Sequence, residues 1–148
     1  MNYDYDLVVL GSGPAGQKAA LAAAKLGKRV ALVEPKKLGG SCTHVGTVPS
    51  KTFREAAVHL TNYRLRYMEP VVSKQPTMKE LVKRVEWVIG KEMEVMKHQL
   101  EHNRVDIIHG YGKFKDAHHI NILNAKMKKI RTLSTLFTVI ATGSQPFK

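Results

Sequence analysis

A single cysteine, Cys42, stands in the whole sequence, so no internal disulfide framework can form. That scarcity points weakly to a reducing compartment. Long apolar runs are missing too: none approaches the roughly 20 residues that a membrane helix needs. Met1 to Asp6 is polar and acidic and leads straight into an apolar stretch, so no signal peptide, no membrane partner and a cytoplasmic location are expected. Acidic residues are few, 12 against 24 basic ones, giving a net charge of +12. Such an excess raises a nucleic-acid reading, because Lys and Arg neutralise phosphates. Yet the bases are dispersed: Lys25, Lys28 and Arg29; Lys36 and Lys37; Arg64 and Arg66; then Lys126 to Arg131. Only the last group is clustered, and no aromatic residues interleave with it. A solvated basic surface is the expectation, with no nucleic-acid partner. Acidic partner segments absent from the chain would also leave its charge unbalanced.

What is present fits a folded domain. With 148 residues, 43% of them apolar and 24% charged, the chain has room for one core and is not expected to be disordered. YDLVVL (5–10) reads as a buried strand, and GSGPAG follows it. QKAALAAAK is rich in good helix formers and stops at Gly27. RVALVE (29–34) reads as a second buried strand. This β–α–β run takes about 30 residues, as a right-handed crossover does. Its continuous apolar strands predict a parallel sheet covered on both faces. Residues 35 to 42 read as a Gly-rich loop. A helical pattern runs from about Thr43 to Tyr67, with Pro49 confined to an irregular or early turn. Residues 69 to 77 contain Pro70 and Pro76 and read as a linker. Lys79 to His102 forms a long amphipathic helix, with Leu81, Val82, Val85, Val88, Ile89, Met93, Met96 and Leu100 near helical spacing. Short strands are predicted in VDIIHG, YGKFKD and HINIL, and one or two more between Lys128 and Ile140.

Chemistry concentrates at the end of the first strand. Gly11, Gly13 and Gly16 form G-x-G-x-x-G between a strand and a helix, with Pro14 and Ala15 in the intervening positions. The first glycine permits a tight turn, the second close approach of a pyrophosphate to the backbone, and the third close packing of the helix. The helix N-terminus adds N–H groups and a positive dipole end. Glu34 ends the second strand and is followed by Pro35. A carboxylate there accepts hydrogen bonds from an adenosine ribose and repels a ribose 2′-phosphate, so NADP is not expected at this first site. Composition and spacing leave NAD and FAD both open.

The next segment narrows the choice. Gly39-Gly40-Ser41-Cys42-Thr43-His44-Val45-Gly46-Thr47-Val48-Pro49-Ser50-Lys51 resembles G-G-x-C-x-x-x-G-C-I-P-S-K of the two-dinucleotide-binding flavoprotein reductases, the family of dihydrolipoamide dehydrogenase and glutathione reductase. Ala141 to Pro146 is similar to that family's A-T-G-S-x-P, so the resemblance covers essentially the whole chain. It implies a Rossmann-like α/β FAD-binding domain with a parallel sheet, a long helical pair and a small antiparallel β element. FAD is the implied cofactor, with Gly40, Ser41, Cys42, Thr47 and Lys51 at the flavin side and Lys51 close to flavin N5. Ala141, Thr142 and Gly143 would run near the adenine–ribose or pyrophosphate end.

Thr47 departs from the disulfide pattern. Thiol–disulfide exchange needs two thiols, and a threonine hydroxyl forms no disulfide. The C-T-H-x-G-T-x-P-S-K version is similar to that of the soluble pyridine nucleotide transhydrogenases, which use NAD and NADP. In that branch the flavin takes hydride from one nicotinamide nucleotide and returns it to another. No catalytic residue follows from the motif: Cys42 is read as packing beside the flavin, with nucleophilic chemistry as the alternative. A dihydrolipoamide dehydrogenase-like or mercuric reductase-like fragment, or a non-catalytic nucleotide-binding module, stays open beside the transhydrogenase reading.

The resemblance also implies what is missing. The family continues into a nicotinamide-nucleotide domain and a dimerisation domain, and its full-length members form homodimers. Residues 1–148 are therefore expected to be the N-terminal part of the FAD-binding domain, catalytically incomplete alone and weakened in FAD affinity. His98 and His102, four apart, form a possible metal pair, but no third ligand is evident and no metal site is expected. His118 and His119 are expected to be exposed in a hairpin.

Overall fold

The computed structural model describes residues 3–67 and 77–144. The chain forms two compact units, Met1–Gly40 with Glu94–Lys148, and Ser41–Met93. The predicted linker at 69–77 lies, but for Thr77, outside the described residues, as does Pro146.

The first unit is built on β1 (Tyr5–Leu10), α1 (Pro14–Lys25) and β2 (Val30–Glu34). It continues with β3 (Val105–His109), β4 (Tyr111–Asp116), β5 (His119–Leu123) and β6 (Lys129–Ile140). The strands lie in the order β3-β2-β1-β6-β5-β4. β3, β2, β1 and β6 run parallel, with Val9 level with Leu32 on one side and Val139 on the other. β6 also pairs antiparallel with β5, and β5 with β4. The segment expected to hold one or two strands is thus one strand, half of which serves each sheet type. The sheet as a whole is mixed, and the small antiparallel element is continuous with it.

Alternate residues of the apolar strands face opposite sides, so continuous hydrophobicity means two covered faces. On one side Val9, Val30, Leu32 and Val105 pack with Ala20 of α1 and with Leu100. On the other, Val8, Leu10, Ala31, Val33 and Ile108 pack with Ile120, Ile122 and Leu133 from the antiparallel strands. Each Val, Leu or Ile among them contributes about 1.5–3 kcal/mol when fully buried. The helix α1 ends as expected at Gly27, whose φ of +72° suits a left-handed cap. Lys28 N–H donates to Ala23 O and Gly27 N–H to Ala24 O, which closes the helix end. The chain start is tied down by Asp4, whose Oδ2 accepts from both the amide and the hydroxyl of Ser134.

The second unit is helical. The loop expected to last to residue 42 is shorter, because α2 (Gly40–His44) begins inside it. The helix expected from Thr43 to Tyr67 is interrupted: Val45 and Gly46 both donate their N–H to Ser41 O, and α3 (Thr47–Tyr67) starts afresh. That restart puts Pro49 in the first turn, where its missing N–H costs nothing. The helix α4 (Met78–His102) gives its residues up to Met93 to this unit and the remainder to the first. Thr77 caps it: Thr77 N–H donates to Glu80 Oε2 and Glu80 N–H to Thr77 Oγ1, a reciprocal pair. Of the predicted stripe, Val85, Met96 and Leu100 are buried, whereas Val82 is exposed. Among the described residues no helix is long and apolar enough to cross a membrane.

Candidate functional site

The loop between β1 and α1 shows why it carries three glycines, and the reasons differ. Gly11 has a φ of +103°, and a Cβ there would lie 2.3 Å from the carbonyl oxygen of Ala141. The contact is structural: Ala141 N–H donates to Leu10 O at 2.8 Å, which seats the Ala141–Gly143 segment beside the loop. At Gly16 a Cβ would stand 2.0 Å from Gly11 O and 3.3 Å from Val9 Cγ1, so α1 sits directly on the loop and strand. Gly13 is unlike both. Its φ of −64° is open to any residue, and a Cβ there would meet no atom within 4 Å. Neither the backbone nor the packing of the protein asks for glycine at 13.

The space at Gly13 faces the start of α1. Gly13 is the N-cap and offers no side-chain hydrogen bond, and Pro14 follows at the first helical position. The remaining N–H groups of the first turn are left for a partner outside the helix, next to the positive end of its dipole. Pro14 and Ala15 are exposed there. This donor set fits the phosphates of a dinucleotide.

Glu34 stands at the other side of the loop, and its carboxylate is already engaged. Oε2 accepts from Ser12 N–H at 3.0 Å and from Ser12 Oγ–H at 2.6 Å. Oε1 accepts from Lys36 N–H at 2.9 Å, across the half-buried Pro35. Ser12 is fully buried. Its Oγ also accepts from Gly39 N–H, and its carbonyl from Gln17 Nε2. Gly40, the next residue, approaches so closely that a Cβ would lie 3.1 Å from Gly13 Cα. One buried hydroxyl therefore binds three parts of the motif set: the glycine loop, the end of β2 and the Gly39–Gly40 turn. Motif spacing gave no hint of Ser12. The available signal was a hydroxyl residue placed between two glycines at the mouth of an otherwise apolar strand.

Ser41, Cys42, Thr47 and Lys51 belong to the second unit. Cys42 lies half-buried in α2, whose next residue, Thr43, is buried. Ser41, Thr47 and Lys51 are exposed. The Thr47 carbonyl accepts from Ser50 Oγ, which also bonds to Gly46 O. Thr142 and Gly143 are exposed in the first unit, Gly143 with a φ of +74°. The expected exposure of the hairpin histidines needs correction. His118 is half-buried, its Nδ1 lying 3.0 Å from Thr135 O and its ring 5.2 Å from that of Tyr3. His119 Nδ1 lies 2.8 Å from Asp116 Oδ1. The rings of His98 and His102 stack at 5.9 Å on an exposed helix face, and among the described residues no group of three ligands gathers around a metal position.

Residues 5–148 match the family described as pyridine nucleotide-disulphide oxidoreductase. A soluble pyridine nucleotide transhydrogenase of Mycobacterium tuberculosis (strain ATCC 25177 / H37Ra) is 46% identical over 147 residues, 97% of this chain and 31% of that protein. Proteins of the same name from Marinomonas sp. (strain MWYL1) and Pseudomonas syringae pv. tomato are 42% and 37% identical, again over 97% and 99% of this chain. The chain spans about a third of the length of these curated relatives, 31% to 32%.

Proposed function

The chain belongs to the pyridine nucleotide-disulphide oxidoreductase family, and from that premise we propose that it forms the N-terminal part of an FAD-binding domain in a cytoplasmic flavoprotein oxidoreductase. The parent reaction is hydride transfer between NADH/NAD and NADPH/NADP. The observation that carries the reading is the space at Gly13, which the fold leaves open while Gly11 and Gly16 are closed by contacts within the protein. In this reading the first-turn N–H groups of α1 and the Gly13 backbone receive the pyrophosphate, and Glu34 receives the adenosine ribose. Ala141 to Gly143 border the same end. Gly40, Ser41, Cys42, Thr47 and Lys51 serve the flavin side. FAD, when bound, supplies a two-electron acceptor and donor of hydride.

The choice of hydride exchange over disulfide reduction rests on Cys42 being the only cysteine, with Thr47 in the second thiol position. No dithiol relay can operate within this chain. Nicotinamide binding and dimer formation are assigned to the parts of the relatives that this chain does not span.

Titration of the chain with FAD, followed by flavin fluorescence, tests the site. Saturable one-to-one binding that Gly13→Leu removes is the expected outcome. Salt-sensitive nucleic-acid binding without any flavin uptake would favour a basic nucleotide-binding module instead. In a protein that carries this segment within the full length of the relatives, NADPH-to-NAD exchange should survive Cys42→Ser, whereas lipoamide or mercuric-ion reduction would sink the transhydrogenase assignment.

A further inference from the structure

We propose that Ser12 is a positioning residue for adenosine-ribose recognition: it holds one carboxylate oxygen of Glu34 and leaves the other with room for a single ribose hydroxyl. This rests on the FAD reading above and extends it to how the ribose is read.

A carboxylate has about four lone-pair positions, two on each oxygen. On Oε2 both are taken, by the amide and the hydroxyl of Ser12 at 3.0 and 2.6 Å. On Oε1 one is taken, by Lys36 N–H at 2.9 Å. One position remains. A bidentate grip on the 2′- and 3′-hydroxyls together would need two. Glu34 in this arrangement reads one hydroxyl of the pair.

Ser12 is suited to fix that arrangement. It is 0% exposed, so it touches no ligand itself and acts through the groups its hydroxyl holds, the Glu34 carboxylate and Gly39 N–H. Its hydroxyl has no freedom of direction. Gly39 N–H can only donate to it, at 3.2 Å, and the Glu34 carboxylate can only accept from it. Hydrogen bonds to a charged acceptor are the stronger kind, and burial removes competing water. Alanine at 12 would keep both backbone amides on the carboxylate but open a second acceptor position, on Oε2, so that both ribose hydroxyls could be met, and would remove one acceptor from Gly39.

The test measures equilibrium binding of FAD and of its two analogues lacking the adenosine 2′- or 3′-hydroxyl to the chain, to Ser12→Ala and to Glu34→Ala. For the unaltered chain, loss of one hydroxyl should weaken binding by roughly tenfold, and loss of the other should change it by less than about twofold. Ser12→Ala should lose most of that discrimination. In the Glu34→Ala background, where no carboxylate is left to position, it should leave the ratio of the two analogues unchanged, whereas a merely structural role would cost affinity in both backgrounds and leave the discrimination of the unaltered chain intact. Equal weakening by both hydroxyl deletions in the unaltered chain overturns the single-hydroxyl count, even if Ser12→Ala does not fold. Undiminished discrimination in a folded Ser12→Ala, checked by circular dichroism, overturns the positioning role. Failure of the unaltered chain to bind FAD at all overturns the site reading, and this proposal with it.

Discussion

The two units of the chain hold their site residues in different ways. In the first, Gly11, Ser12, Gly16, Glu34, Gly39 and Ala141 come from segments far apart in sequence and are locked by backbone contacts and buried hydrogen bonds. In the second, Cys42, Thr47 and Lys51 stand on helices held by local bonds: the Ser41 carbonyl closing α2, the Thr52 hydroxyl on Val48 O, the Thr77–Glu80 cap. Burial draws the same line. Among the described residues Val85 is the one buried apolar side chain of the second unit, while the first holds the rest of the core. A cleft of about 600 Å³ runs between α3 and α4, lined by Thr52, Glu55, Ala56, His59, Leu81, Arg84 and Val88. Where binding geometry must be set before a ligand arrives, long-range contacts set it; local helix bonds position residues along a helix only.

Substitutions can break this comparison. Gly11→Ala and Gly16→Ala should have the largest effect, because each drives a Cβ into backbone that cannot yield. A loss above about 4 kcal/mol, or no soluble folded chain, is expected in chemical denaturation. Leu32→Ala, in the buried strand of the first unit, should cost about 2–5 kcal/mol by urea unfolding. Thr77→Ala, which removes the cap of α4, should cost about 1 kcal/mol. If it matched Leu32→Ala, the contrast between the units would be wrong.

Acid gives a smaller effect, to which Asp4 contributes from the first unit and Glu80, held by Thr77, from the second. The amide and hydroxyl of Ser134 hold the Asp4 carboxyl below its ordinary value of 3.8, with Arg29 assisting. A carboxyl depressed in the folded state stabilises it above the unfolded value and loses that contribution as pH falls through the folded one. Asp4→Asn should therefore lower stability slightly near neutral pH and flatten its decline below about pH 4, measured by thermal melts across pH. Gly13→Ala should have the smallest effect on folding, within about 0.5 kcal/mol. It should nonetheless reduce FAD affinity, since the added methyl enters the space that the fold leaves open. A Gly13→Ala chain as unstable as Gly11→Ala would show that position 13 serves the fold and not a ligand.

Much of this was legible from residue order. The β–α–β start, the glycine stop of α1 and the strands of the C-terminal third follow from apolar runs and turn residues. The helix break at Val45–Gly46 was less visible, because Thr43 to Tyr67 has no residue that forbids a helix except Pro49, and Pro49 is tolerated in a first turn. The Thr77–Glu80 cap was there to be read but fell at the edge of a proline-bearing stretch. The dual role of β6, parallel to β1 and antiparallel to β5, is not encoded in periodicity, since strand partners are chosen by tertiary packing. At the site, Gly11, Gly13, Gly16 and Glu34 could be named from spacing. Ser12 could not, because its importance lies in contacts with residues 22 and 27 positions away.

The fixed direction of the Ser12 hydroxyl has a consequence for entropy. A hydroxyl that can turn between acceptors has rotational states to surrender when a ligand orders its surroundings. This one has a single orientation, given by a donor that cannot accept and an acceptor that cannot donate. The ordering cost at this end of the loop has been met during folding, so little of it is left to be subtracted from the free energy of binding.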